Sequence, residues 1–152
     1  MKVLICFFIT IMLLTNYNCA NAQNDLANKQ PEQMLKEFYT AYNIAWSTHT
    51  APDVHDKRLY FLQKKYCTAQ LRNELEKRGG LDQDLLIGRG YTDVEHLKTL
   101  TVSKDPANAN SYSVSYIHPT MDASYRPNGE EKIVIHVTVV KEGNGFKIAS
   151  VK

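Results

Sequence analysis

The sequence predicts an α+β domain in which N-terminal helices pack on a curved four-stranded antiparallel sheet. Three observations carry that reading. Leu35, Phe38, Tyr39, Tyr42 and Trp46 recur at helical spacing. From Leu97 onward the apolar period changes to two, and the run 132–141 leads into Gly143-Asn144-Gly145, a strand followed by a hairpin signal. Helices grouped before strands, with short strand connections, favour an antiparallel meander over parallel crossovers.

Taken in order, the first helix starts at Pro31, whose fixed φ suits a first helical position, with Glu32 near the positive end of the dipole. It should end at Ser47 to Thr50, before Pro52. A second helix is expected from Asp56 to Tyr66, with Leu59, Leu62 and Tyr66 on one side. Thr68 is the expected N-cap of a third, which carries Leu71 and Leu75, ends in Lys77 and Arg78, and stops at Gly79-Gly80. The stretch 81–94 reads as a turn or a helix fragment within a loop. Strands are then expected over 97–103, over 112–118 closed by Pro119, over 132–141, and over 146–151. Pro127 and Asn128-Gly129 are expected in a mobile loop. Ile133, Ile135, Val137 and Val139 share one face of the third strand, and Val134 and Val140 suggest that its other face is also covered over part of its length.

The chain has 152 residues, 43% of them hydrophobic and 22% charged, which is one domain of ordinary globular composition. A net charge of +2 implies no nucleic-acid surface. Residues 1–22 read as an export signal. Lys2 is followed by an apolar run from Val3 to Leu14, too short for the ~20 residues a bilayer span needs, and then by Ala20-Asn21-Ala22, an A-x-A cleavage site. Cleavage after Ala22 would release a periplasmic or extracellular chain with a polar leader over 23–30 and one domain over 31–152. Cys19 raises a competing reading, an acylated lipoprotein held at a membrane. The residues before it (Asn16, Tyr17, Asn18) are polar or bulky where a lipobox wants aliphatic and small ones. Loss of Cys6 and Cys19 with the signal leaves Cys67 alone, so neither an internal disulfide nor a cysteine zinc site is expected.

Three segments carry a resemblance to a known family. They are Phe38-Tyr39-Thr40-Ala41-Tyr42, then Lys64-Lys65-Tyr66-Cys67-Thr68-Ala69-Gln70-Leu71, and Leu81-Asp82-Gln83-Asp84 leading to Tyr91. They resemble the DUF3828 family of exported bacterial proteins, within the broader NTF2-like group, which sets a cystatin-type sheet against a helix in a cone. The closing Gly145-Phe146-Lys147-Ile148 is similar to the terminal strand of NTF2-like domains. Where the family pattern ends its acidic element with Gln-Asp, this chain has Arg89-Gly90. The resemblance implies fold and export, and no settled activity.

Candidate chemistry is sparse. None of the five histidines forms a zinc-type spacing, so neither a metal nor a cofactor is expected. His118 and His136 are both strand residues and could meet across the sheet, although a surface or edge position is the plainer reading. Asp93, Glu95 and His96 could hold a divalent ion, or simply form a solvated loop. Cys67, just before a helix cap, could be a nucleophile or a small buried hydrophobe. Asp82 and Asp84 read as turn caps. Tyr39, Tyr42 and Trp46 on the first helix, with Tyr112 and Tyr116 on the second strand, either fill the core or line a concave cavity for a small hydrophobic or aromatic ligand.

The expected function is a non-enzymatic module of the cell envelope that binds a ligand or another envelope protein. One alternative is a small enzyme using His118 or His136 with an acid for proton abstraction or dehydration. Another is a structural or immunity-type protein that forms a homodimer through Val134, Thr138 and Val140 on the outer sheet face.

Overall fold

A computed structural model describes residues 30–78, 84–89, 92–124 and 126–152. The signal segment, Cys19, the leader up to residue 29, the Gly79-Gly80 stop, Asp82 and Tyr91 lie outside these. Three helices, α1 (Pro31–Ser47), α2 (Pro52–Tyr66) and α3 (Ala69–Lys77), precede a 3-10 turn (Val94–Thr99). Four strands follow: β1 (Thr101–Lys104), β2 (Ser111–Met121), β3 (Pro127–Glu142) and β4 (Gly145–Val151). The sheet order is β1-β2-β3-β4 and every pairing is antiparallel, so the chain is an α+β domain with helices on an open four-stranded meander.

The apolar stripe of α1 becomes the interior. Leu35, Phe38, Tyr39 and Tyr42 have no exposed surface, and they pack on Val114, Tyr116, Ile135, Val137 and Ile148 of the sheet within one hydrophobic core. Helix α1 touches β1 and the 3-10 turn, whereas α2 and α3 touch β4. Thr68 caps α3 as expected, its hydroxyl accepting from Leu71 N at 3.2 Å. One residue earlier Cys67 forms a parallel bridge with Ile148, and Thr68 N donates to Ile148 O at 2.9 Å. That pair of backbone contacts ties the helical layer to the outer edge of β4.

Four boundaries differ from expectation, each for a local reason. Helix α2 begins at Pro52 rather than Asp56, because Pro52 supplies a first-turn φ and Asp53 reaches Lys57 one turn on at 3.4 Å. The start of the expected 97–103 strand is instead 3-10. Asp93 caps that turn by accepting from Glu95 N at 2.9 Å, while the His96 ring accepts from Asp93 N at 3.1 Å. Pro119 does not close β2. Ile117 N bonds to Thr99 Oγ1 on the β1 side, so by alternation the missing N–H of Pro119 also faces that side, beyond the end of β1.

The fourth difference is the expected loop at Pro127 and Asn128-Gly129, which is the start of β3, paired with Thr120 and Met121. A tight turn at Asp122 makes this register. Its carboxylate accepts from Ser124 N at 2.7 Å and Arg126 N at 3.0 Å, and Asp122 N donates to Arg126 O at 2.8 Å. The outer sheet face is also more open than expected, with Val134 45% exposed and Val140 half-buried. The Gly143-Asn144-Gly145 hairpin is present, with Gly143 at φ +61°.

Candidate functional site

Two polar clusters are enclosed where the helices meet the sheet. The first is centred on Asp84. Tyr42 and Trp46 stand one turn apart on α1, and both donate to Asp84 Oδ2, Tyr42 Oη at 2.8 Å and Trp46 Nε1 at 3.0 Å. Gln63 of α2 donates to Tyr42 Oη at 2.9 Å, and Asp84 Oδ1 accepts from Leu86 N at 2.7 Å. Asp84 thus holds a tight turn, 84–89, against α1. The turn buries Leu86 and Ile87, and Tyr116 donates to Ile87 O from the sheet below. Gly88 sits at φ +66° within it, and a Cβ there would meet Ile133 Cγ2 at 3.2 Å, so the turn lies directly on β3.

The aromatic candidates are therefore core. Tyr39 and Tyr42 are fully buried, Tyr116 is 1% exposed and Tyr112 is 3% exposed. Only Trp46 is half-buried, edge-on to His55. The rings occupy the helix–sheet interior that they were candidates to line. Burial raises the Tyr42 hydroxyl pKa far above its ordinary value, with the Asp84 charge adding to it, and pushes Tyr116 up to about 12. These phenols act as hydrogen-bond donors. Tyr39 Oη has no hydrogen-bond partner among the described residues. Cys67 is 2% exposed and burial pushes its thiol up to about 12, so it is a packed thiol and not a thiolate nucleophile.

The second cluster is a chain of buried polar groups. Asn43 Nδ2 donates to Tyr39 O at 2.7 Å, and Thr92 Oγ1 donates to Asn43 Oδ1. Thr92 also lies 3.0 Å from His96 Nδ1. Because that nitrogen accepts from Asp93 N, the proton of His96 belongs on Nε2, from where it is donated to His118 Nδ1 at 3.2 Å. The His96 ring stacks on Tyr116, with centroids 5.4 Å apart. Arg89 pairs with Glu131, the cross-strand neighbour of His118.

Three sequence expectations change here. His118 is buried, not at a surface. His118 and His136 do not meet, since His136 stands opposite Ser113 on the outer face. His96 is 3% exposed and belongs to this chain, not to a solvated loop or an ion site with Asp93 and Glu95. Among the described residues no group of three or more His, Cys, Asp or Glu could hold a metal ion.

Tyr112 and His136 do share one feature. They border a cleft of about 180 Å³ with Ser113 and Asp105, and His136 Nδ1 lies 3.4 Å from Ser113 Oγ. Thr138 and Val140, candidates for a sheet contact, are half-buried.

The histidine pair makes stability depend on pH. Burial, chiefly, lowers both pKa values below the ordinary 6.5. For His96 the Asp93 charge partly opposes this and Arg89 adds to it, and for His118 both Arg89 and His96 add to it. The unfolded chain then binds protons first as pH falls. Stability should be level above about pH 7 and fall from there towards pH 5, as the unfolded histidines protonate while the folded pair resists. Urea unfolding across this range should show that slope, and His118→Gln should flatten it. A level profile for the wild type would contradict the buried neutral pair.

Sequence reasoning missed Asn43, Gln63, Thr92 and the partnership of His96 with His118. Asn43 lies within the apolar stripe of α1, where a polar residue at a buried phase announces an internal partner. Gln63 and Thr92 carried no comparable signal. The outer face of α2 was also missed, with Tyr60 53% and Phe61 66% exposed.

No helix among the described residues is long and apolar enough to cross a membrane. No family model matches the chain, and no curated protein is similar to it. Among solved structures, a crystal structure of a protein of unknown function from Bacteroides thetaiotaomicron VPI-5482 is similar, with a TM-score of 0.67 and 19% sequence identity over 93% of this chain and 98% of that one. At that identity the likeness speaks for the fold: helices on an open antiparallel sheet of four strands.

Proposed function

We propose that the protein is an exported, non-enzymatic binding module of the cell envelope that meets its partner through its outer surface. Export is supported by the signal pattern of residues 1–22, and by the DUF3828-like segments at 38–42 and 64–71. One observation carries the binding mode. The aromatic residues that would receive a small ligand are already partnered by the chain itself, Tyr42 and Trp46 by Asp84 and Tyr116 by the Ile87 carbonyl. A ligand entering there would have to break these bonds and displace fully buried rings, whereas a macromolecular partner on the surface breaks none.

The test compares two experiments on the mature chain. Small hydrophobic and aromatic compounds should leave the melting temperature unchanged. Photo-crosslinking from surface positions in living cells should trap a defined envelope protein. Stabilisation by a small compound, lost in Tyr42→Phe, would favour an interior ligand site instead.

A second reading is favoured by His118, an uncharged imidazole whose cross-strand neighbour Glu131 pairs with Arg89. In it, His118, whose proton lies on Nε2 because Nδ1 accepts from His96, gives that proton to the leaving group of a substrate in a dehydration. Turnover that is abolished by His118→Gln in a folded protein would establish it.

A further inference from the structure

The outward face of α2 stands apart from the rest of the surface. Of the seven exposed large hydrophobic residues among those described, four (Ile44, Val54, Tyr60 and Phe61) lie on α1 and α2. Phe61 is the most exposed, and its ring lies 6.3 Å from that of Tyr60. Leaving a phenylalanine in water forgoes roughly 1.5–3 kcal/mol of burial free energy. Folding does not explain such a position, since Leu59 and Tyr66 already anchor the opposite side of the helix.

Cations line this ridge from Lys57 to Lys65, after Asp53 and Asp56 in the first turns of the helix. Val54, Lys57, Arg58, Phe61, Lys64 and Lys65 follow the i, i+3, i+4, i+7 spacing that puts them on one face. The ten residues from Lys57 to Tyr66 include four cations and no carboxylate. Lys57 reaches Asp53, but Arg58, Lys64 and Lys65 have no carboxylate within ion-pair distance among the described residues. Lys65 instead lies over the Tyr66 ring at 4.8 Å. Lys147 adds a further cation, donating to the Lys65 carbonyl and, at 3.5 Å, to that of Lys64. Lys64 and Lys65 suit the negative end of the helix dipole; Lys57 and Arg58, in the first half of the helix, do not have that reason to be there.

One groove borders the ridge, and a second lies between α1 and the end of α2. The first, of about 500 Å³, lies towards α3, bordered by Tyr60, Gln63, Arg72, Leu75 and Glu76. The other, about 390 Å³, lies towards α1 and is bordered by Lys36, Glu37, Thr40, Ile44 and Tyr66. A flat bilayer can touch the ridge but cannot enter the groove beside it. A second copy meeting this face by two-fold symmetry would set the same cations against each other. A polypeptide whose side chains enter the groove beside Tyr60 while its carboxylates meet the cations satisfies both features, and tyrosine and arginine, here Tyr60 and Arg58, are enriched in interface hot spots.

We propose that the Tyr60–Phe61 ridge of α2, with Lys57, Arg58, Lys64 and Lys65, docks an acidic segment of a partner protein. This rests on the reading of the protein as a surface-binding module. The probe is a fluorescent peptide of glutamate and leucine, with a lysine-and-leucine peptide of the same length as control, titrated with the mature protein at low and high salt. The acidic peptide should bind, and lose about tenfold or more in affinity between the two salts. Phe61→Ser should weaken it by about tenfold, and the triple variant K57E/K64E/K65E should remove it. Phe61→Ser should keep wild-type urea unfolding, since its side chain is exposed. The triple variant should unfold at a lower urea concentration, since it reverses charges that suit the helix dipole and Asp53, yet stay folded without urea.

Equal binding of the basic peptide, or variants without effect, would overturn the proposal. So would anionic phosphatidylglycerol vesicles binding in a Phe61-dependent way that the peptide does not reproduce, or a dimer lost in Phe61→Ser. Crosslinking in cells separates the two levels. A partner trapped from position 134 but never from position 61 defeats this face and leaves the module reading intact. Turnover or an interior ligand defeats the module reading itself.

Discussion

Asp84→Ala is expected to destabilise the protein by about 3 kcal/mol, since a buried donor left without its acceptor costs about 1–3 kcal/mol and three donors depend on this carboxylate. The total stays below the sum because Trp46 is half-buried and can turn to water, whereas Tyr42 cannot. In a domain of this size such a loss lowers the melting temperature by about 10 °C. Trp46 is the sole tryptophan, so its fluorescence reports the site directly. The native emission should shift in Asp84→Ala even before any denaturant is added. A second variant identifies the cause. Tyr42→Phe removes one donor along with its need for an acceptor, and should cost about 1 kcal/mol. If Asp84→Ala proved as mild as Tyr42→Phe, the 84–89 turn would not be held to α1 by this carboxylate.

The same cluster shows how far sequence reasoning reaches. Tyr42 and Trp46 were visible as members of a helical stripe, because burial on a helix repeats with a fixed period and needs no knowledge of the partner. Their hydroxyl and indole N–H point at a carboxylate 42 and 38 residues further along the chain. No local pattern encodes such a pairing. Asp84 looked like a turn cap, which it also is, through Leu86 N.

The strands behave in the same way. Ile133, Ile135, Val137 and Val139 alternate so regularly that the central part of β3 is unambiguous. Its first five residues, Pro127 to Glu131, are exposed, and the first three are turn-forming types. They become strand because Asp122 folds the chain back in register with 118–121. His96 failed to be read as buried for a related reason. It follows Asp93 and Glu95, both acidic and exposed, and only the 3-10 geometry turns its ring inward onto Tyr116. Helices and inner strands follow from periodicity; polar partnerships between distant elements follow from the fold.

Phenylalanine occurs on both α1 and α2, and the two residues should behave oppositely when replaced by alanine. Phe38 has no exposed surface and sits between Tyr39 and Tyr42, each ring 5.1 Å away, and Tyr66 of α2 at 5.5 Å. Phe38→Ala removes the ring that couples α1 to α2 and leaves a cavity between helices and sheet, at a cost of about 4 kcal/mol. Equilibrium urea unfolding should show the midpoint fall with little change in slope. Phe61→Ala, on the outward face of the neighbouring helix, should stay within about 0.5 kcal/mol of wild type. The contrast assigns the aromatic residues to separate tasks. The rings on the α1 stripe hold the helical layer to the sheet, so their loss appears as instability whatever the protein binds. A large stability loss in Phe61→Ala would mean that the α2 ridge belongs to the folded core, and its exposure would then lose its meaning as a docking surface.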